Sequence, residues 1–255
     1  MQGPLLSKIV KRTLDFFEVF AEYGRPLSLT EIAKILKLPV SSCHDVLQTL
    51  QECGYVYEIA PRSGYYPSLK LQDLANRIVA SDPVIARAEI ALREIRDELD
   101  ESVLLARVDG LGATYLLVME PSYPLRFLRR VGDRLGNLYA TSVGKALLGT
   151  LDERNRRKAV ADLELIRLTD HTNTSKEALL AELEESRARG WYLNKEESEP
   201  TVMTVSATFR WNRSVFVVTV AGPVFRMDNK LDDAVAAVLR ICRDLENPGT
   251  GQKPG

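Results

Sequence analysis

Cysteine is scarce in this chain. There are three, Cys43, Cys53 and Cys242, an odd number with no C-x-x-C spacing. Such a set does not suit a disulfide framework and points to reduced thiols in a cytosol. Nor does it form the tight Cys/His grouping of a zinc site, and His44 has no second metal ligand nearby. No uninterrupted apolar stretch approaches the ~20 residues of a membrane span. The start carries Lys8, Lys11 and Arg12 ahead of an amphipathic segment, not the apolar run of a signal peptide. Together these features lead us to expect a cytoplasmic protein with no membrane partner.

Charge of one sign is missing too. The formal net charge is −1 over 255 residues. Residues 1 to 75 carry eight basic and eight acidic side chains and sum to zero. A strongly basic nucleic-acid binder is therefore excluded, because non-specific affinity scales with counterion release. A neutral domain can still bind DNA specifically if its cations cluster on one face, and is then expected to lean on dimerisation, which presents two reading heads to one operator. Enzyme signatures are equally thin. Ser142 lacks a Gly-x-Ser-x-Gly elbow and Lys145 lacks P-loop spacing. Glu196 and Glu197 are adjacent, so on a strand they face opposite ways. The expectation is no enzyme, no cofactor, no metal and no catalytic residues.

What is present begins with a helix-turn-helix and wing over residues 28 to 67. Leu6, Ile9, Val10, Leu14, Phe17 and Phe20 line one face of a first helix, ended by Gly24 and Pro26. Ser28 and Glu31 form an S-x-x-E capping box for the second helix. Lys37 and Leu38 make the turn, and Pro39 suits the start of the third helix. On that helix Cys43, Val46, Leu47 and Leu50 recur at i, i+3, i+4, i+7, which marks a buried face. The other side holds Ser41, Ser42, His44, Asp45, Gln48 and Thr49, small hydrogen-bonding residues suited to base edges and phosphates. With Ser28, Thr30 and the wing-tip Arg62, these are the candidate DNA-binding residues. Gly54 stops the helix, and two short strands flank Pro61 to Gly64 as a wing hairpin.

A helical linker follows over 69–82, then Asp82-Pro83 opens a long helix. From residue 102 the pattern turns to strands: 103–108 and 113–120 around Asp109-Gly110, then Leu125 to Val131 as a third. Helices are expected from Ala140, over Asp152 to Leu163, and over Thr174 to Arg189, the last with a Thr174/Glu177 capping box. Strands return at Trp191 to Leu193, Val202 to Arg210 and Ser214 to Ala221, and an amphipathic helix spans 229 to 246. Residues 247–255 read as a disordered Pro/Gly-rich tail. The fold class is α+β, with a mostly antiparallel sheet in the second domain. The expected domains are 1–68, linker 69–82, 83–246 and tail 247–255.

At this point the chain resembles IclR-family transcriptional regulators over roughly residues 5 to 245. The resemblance rests on Leu29-Thr-Glu-Ile-Ala, Leu38-Pro-Val-Ser-Ser, Arg130-Val-Gly-Asp-Arg-Leu and Ala140-Thr-Ser-Val-Gly-Lys-Ala-Leu-Leu. Gly190-Trp-Tyr-Leu-Asn-Lys-Glu-Glu and Thr219-Val-Ala-Gly-Pro-Val complete it, and their order and spacing make it specific. It implies a winged helix-turn-helix, a linker helix and a GAF-like effector domain, in a dimer or tetramer bound to double-stranded operator DNA. It also implies a small, carboxylate-bearing or aromatic effector held at Leu128, Ser142, Val143, Gly144, Asn194, Thr204 and Thr219. The family's acidic pocket residue falls on Asn194, its cysteine on Thr204, and its serine pair on Thr219 and Ala221. Asp45 stands where many relatives carry a basic residue. Two alternatives stay open: a constitutive DNA-binding protein whose second domain only oligomerises, and an enzyme-like sensor.

Overall fold

The computed structural model describes residues 8–60, 63–127 and 129–247. Arg62, Leu128 and the expected tail beyond 247 lie outside the described residues. The chain divides into two compact units, up to Ser81 and from Asp82.

The first unit holds α1 (Lys8–Tyr23), α2 (Leu29–Leu36), α3 (Val40–Glu52), β1 (Val56–Glu58), β2 (Tyr65–Pro67) and α4 (Leu69–Ala80). Its core is Phe16, Phe20, Leu27, Ile32, Cys43, Leu47 and Val56. Each fully buried aliphatic side chain there contributes about 1.5–3 kcal/mol against remaining in water. Gly24 takes φ +60 behind α1, and Lys37 adopts φ 54 in the turn between α2 and α3. The Leu38 N–H then donates to the Ala33 carbonyl at 3.0 Å, closing α2. Val46, expected in the buried face of α3, is half-buried, while Cys43, Leu47 and Leu50 are buried. Burial pushes the Cys43 thiol pKa up.

The second unit opens with α5 (Pro83–Leu99), capped by Asp82, whose side chain accepts from the Val84 and Ile85 N–H groups. The strands are β3 (Ser102–Asp109), β4 (Gly112–Met119), β5 (Tyr192–Lys195), β6 (Val202–Trp211) and β7 (Ser214–Pro223). They form one sheet in the order β4-β3-β7-β6-β5, antiparallel throughout. The helices α6 (Ser142–Thr150), α7 (Glu153–Asp162) and α8 (Lys176–Arg189) follow β4. A short α9 (Val224–Met227) leads through a 3-10 turn to α10 (Leu231–Glu246). The last helix thus starts two residues later than its periodicity suggests, because Asp228–Lys230 winds as 3-10.

Alternation along the strands assigns the two sheet faces. Val103, Leu105, Met203, Val205, Phe209, Val218 and Val220 pack with α5 and α10 in one core. Leu104, Ala106, Val217 and Ala221 pack with Val143, Leu147 and Leu183 of α6 and α8 in the other. Cys242 sits in the first core, where burial pushes its thiol up to about 12.

Two sequence expectations need correction. Among the described residues 125–131 form no strand. Pro121 and Pro124 bend this segment and withhold donors from a ladder. It meets the edge strand β4 further on, where Thr114 pairs with Arg134 and the Gly132, Tyr115 and Leu135 N–H groups donate across. Gly132, at φ +93, makes the turn that allows this. The cap of α8 is Ser175, not Thr174: its hydroxyl accepts from the Ala178 N–H at 3.2 Å. Glu177 meets that same hydroxyl at 3.0 Å.

One buried charge fixes the end of the sheet. Glu101 is fully buried and accepts from Arg226 Nε and Nη2 at 2.6 and 2.8 Å. A Cβ at Gly222 would collide with that carboxylate. We predict that Gly222→Ala lowers stability by about 1–3 kcal/mol, the range for overpacking a filled core. Urea unfolding with an unchanged m-value is the check; a midpoint equal to wild type contradicts this packing argument.

Candidate functional sites

The DNA-reading candidate is built by α2 and α3. Ser28 closes the capping box of α2: its N–H donates to Glu31 Oε2 at 2.8 Å, and its hydroxyl accepts from the Glu31 N–H at 3.3 Å. Arg25 adds a contact to Glu31 at 2.9 Å. The Ser28 donors and the Arg25 guanidinium hold the Glu31 carboxyl down to about 2. Ser28 is thereby committed to the cap, while Thr30 is exposed. On α3, Ser41, His44, Asp45, Gln48 and Thr49 are exposed and Ser42 is half-buried. The Thr49 hydroxyl donates back to the Asp45 carbonyl at 2.8 Å, and Gln48 donates to Glu52 at 3.0 Å. Both must re-pair to touch DNA, whereas Ser41 and Asp45 show side chains on open helix surface. Arg62 lies outside the described residues.

The second candidate is a cavity of about 210 Å³ between the sheet and the start of α6. Ser142, Val143, Asn194, Thr204 and Thr219 line it, as expected. Gly144 does not. Its Cα packs against the neighbouring loop, where a Cβ would lie 2.5 Å from Leu138 Cα, and its N–H donates to the capping hydroxyl of Thr141 at 3.0 Å. Leu128 lies outside the described residues.

The cavity floor follows from the period of β6 and β7. Met203, Val205, Ala207 and Phe209 face one core, so Thr204, Ser206 and Thr208 face the other. Ser206 stands directly opposite Thr219 in the ladder, and their hydroxyls meet at 2.7 Å. Ser142 reaches Ser206 at 2.7 Å and Thr204 at 2.6 Å. Four hydroxyls joined by three bonds use three O–H protons. One proton remains to be given elsewhere, and Thr204 and Thr219, the two ends of the chain, both line the cavity. The first turn of α6 adds the backbone donors of Ser142 and Val143, which have no intrahelical acceptor.

Sequence reasoning missed the charged rim. Arg129 and Glu199 both line the cavity and form an ion pair at 2.8 Å. Burial works against the charge of Arg129, but Glu199 and Tyr115 outweigh it and raise its pKa. The guanidinium also lies 4.5 Å from the Phe127 ring centre. The pair is partly exposed, so it contributes only about 0–1 kcal/mol. Tyr115, whose hydroxyl pKa burial raises, lines the same space. A lone Arg in an irregular segment and a Glu after a Glu-Glu pair carry no period that would mark them.

Lys145, the next residue along α6, is not among the residues that line the cavity. It is fully buried, and its ammonium donates to Glu197 at 2.5 Å, Glu182 at 2.6 Å and the Leu193 carbonyl at 3.1 Å. It lies behind the cavity and ties α6 to α8 and to the loop after β5. Burial pushes the Glu197 carboxyl pKa up against the pull of Lys145. Asn194 serves the same loop, accepting from the Glu197 N–H at 2.9 Å and donating to Ser198 at 3.0 Å. His171 is an exposed side chain 3.7 Å from Glu196. Among the described residues no His, Cys, Asp and Glu group is arranged to hold a metal, and no helix is long and apolar enough to cross a membrane.

Both units match family models. Residues 9–60 match the family model of the IclR helix-turn-helix domain. Residues 76–246 match that of the bacterial transcriptional regulator IclR C-terminal domain. The transcriptional regulator XynR of Escherichia coli is 29% identical over 231 residues, covering 91% of this chain and 90% of XynR. SauR of Cupriavidus necator is 32% identical over 236 residues, covering 91% and 93%. Among solved structures, an IclR homolog from Microbacterium hydrocarbonoxydans, crystallised with 4-hydroxybenzoate, shares the fold at a TM-score of 0.74 and 20% identity, covering 94% and 98%.

The capping geometry yields a pH prediction. The Glu31 carboxyl is depressed in the folded chain from an ordinary 4.5 to about 2. Its stabilisation is complete above the unfolded value and is lost as pH falls from there through about 2. Glu31→Gln should remove that part of the acid dependence, read as thermal midpoints between pH 5 and 2. An identical acid slope in the variant contradicts the capping role.

Proposed function

The chain belongs to the IclR family of bacterial transcriptional regulators, and we propose that it reads operator DNA as a dimer or tetramer under the control of a small carboxylate-bearing effector. The observation that carries the effector reading is the small, hydroxyl-floored cavity at the start of α6. Its volume is below the ~300–1,000 Å³ typical of drug-sized ligands, which suits a molecule of one ring or a short acid. Helix N-terminal donors and hydroxyls favour an anionic oxygen over an apolar group. The 4-hydroxybenzoate in the Microbacterium homolog is an acid of that size class.

For DNA, the reading residues are Ser41, Ser42, His44, Asp45, Gln48 and Thr49 of α3, with Thr30 and Arg62 as further candidates and Ser28 positioning α2. Asp45 suits a cytosine N4 amino group, since a carboxylate only accepts. The neutral charge of residues 1–75 supports paired reading heads, because one copy releases few counterions. Acting on chromosomal DNA places the protein in the cytoplasm. The effector acts by favouring one of two conformations of the oligomer, one competent to bind the operator and one not.

The test is a mobility-shift titration on the DNA flanking the gene, at physiological salt. Wild type should form a specific complex, and Gln48→Ala should weaken it by about 1–3 kcal/mol, the worth of one base contact. Binding no tighter than to random DNA overturns the reading. In parallel, a thermal-shift screen of organic acids should raise stability by about 2.7 kcal/mol for a ligand at one hundred times its Kd. Silence across the screen favours a constitutive regulator.

A further inference from the structure

Two cavities of the second unit meet at Glu199. One is the hydroxyl-floored space; the other, of about 250 Å³, is lined by Leu125, Arg126, Thr201 and Gly222, and both share Phe127 and Glu199. The first has one cation among its lining residues, Arg129, and one anion, Glu199, paired with it at 2.8 Å. We propose that Glu199 is a built-in competitor for the effector: a ligand carboxylate displaces it from Arg129, opening the partition between the two cavities. This rests on the reading of the first cavity as the effector site.

Electrostatics drives the exchange. With the pair closed, the lining is neutral overall, and an entering carboxylate meets Glu199 as a like charge. With Glu199 withdrawn, the same ligand meets a planar guanidinium whose fork matches a carboxylate. Phe127 supports that guanidinium from its face and keeps it aimed. The internal pair yields readily because its side chains are 32% and 47% exposed, so water screens it.

The backbone around Glu199 is suited to such a change. Glu196 and Thr201 lie at φ 61 and 65, a region that disfavours residues with a Cβ and a branched one most of all. Side chains hold the near end: Lys145 grips Glu197, and the Thr172 hydroxyl donates to the Glu197 carbonyl at 2.8 Å. The segment is therefore anchored at Glu197 and Ser198, and the Glu199 side chain, just beyond the anchor, pairs with the cavity's cation. Withdrawal of that one side chain leaves the anchor intact. It also gives the ligand room beyond 210 Å³ by joining the second cavity.

Calorimetric titration of the full chain tests this, using benzoate, 4-hydroxybenzoate and propanoate, with benzamide as an uncharged isostere. Glu199→Gln should bind the carboxylates about tenfold more tightly than wild type, and Arg129→Gln about tenfold more weakly, benzamide being unmoved in both. Weaker or unchanged carboxylate binding by Glu199→Gln overturns the proposal, as does unchanged binding by Arg129→Gln. If carboxylates bind and Thr204→Val abolishes binding while both rim variants leave it unaltered, the effector cavity stands and the competitor falls. If no probe binds wild type or Glu199→Gln, both readings fall together.

Discussion

A sheet covered by helices on both faces imposes a period of two on every strand, and that constraint organises the second unit. On β6 it sends Met203, Val205 and Phe209 toward α5 and α10. The residues between them, Thr204, Ser206 and Thr208, must then face α6. Large apolar side chains there would have filled the space at the start of α6. Small hydroxyl residues leave it open and line it with donors and acceptors. The cavity thus depends on side-chain size on one sheet face, and the loops around the start of α6 complete its walls.

Burying hydroxyls has a cost unless they are paired. Here the register of the ladder meets it. Ser206 faces Thr219 across β6 and β7, and Ser142 is delivered by the first turn of α6 to close the chain. Thr141 and Gly144 fix where that turn begins, one by capping it and the other by allowing the loop to approach. Among the described residues, two fully buried charges behave alike. Glu101 and Lys145 each bind partners from distant segments and a backbone or side-chain oxygen or nitrogen nearby, so each pins the ends of several elements at once. Neither is placed to act on a ligand. A buried pair of this kind is weak evidence for stability but good evidence for a fixed arrangement.

The first unit follows a different economy. Its core is small, and its proposed reading surface is the exposed side of α3. Most of the polar side chains there are short, and two of them already bond within the helix. Affinity from charge is absent by composition. Under the proposed function, recognition then rests on contact geometry and on copy number.

The family resemblance supplied five of the residues that line the cavity; the sequence alone determined the helix-turn-helix, the faces of α3 and the antiparallel character of the second unit. These are local matters: periodicity, caps and turn residues act over a few neighbours. It did not determine the path of residues 120 to 135, because prolines and a left-handed glycine decide it by bending the chain toward an edge it meets far away. It did not separate Gly144, a packing residue, from its neighbours that line the cavity, since a helix start turns each side chain by about 100°. Lys145 and Glu197, and Arg129 and Glu199, are far apart in the chain and carry no spacing signal. Only the tertiary structure brings each pair together, because an ion pair is specified by where two elements pack and not by what lies beside either residue.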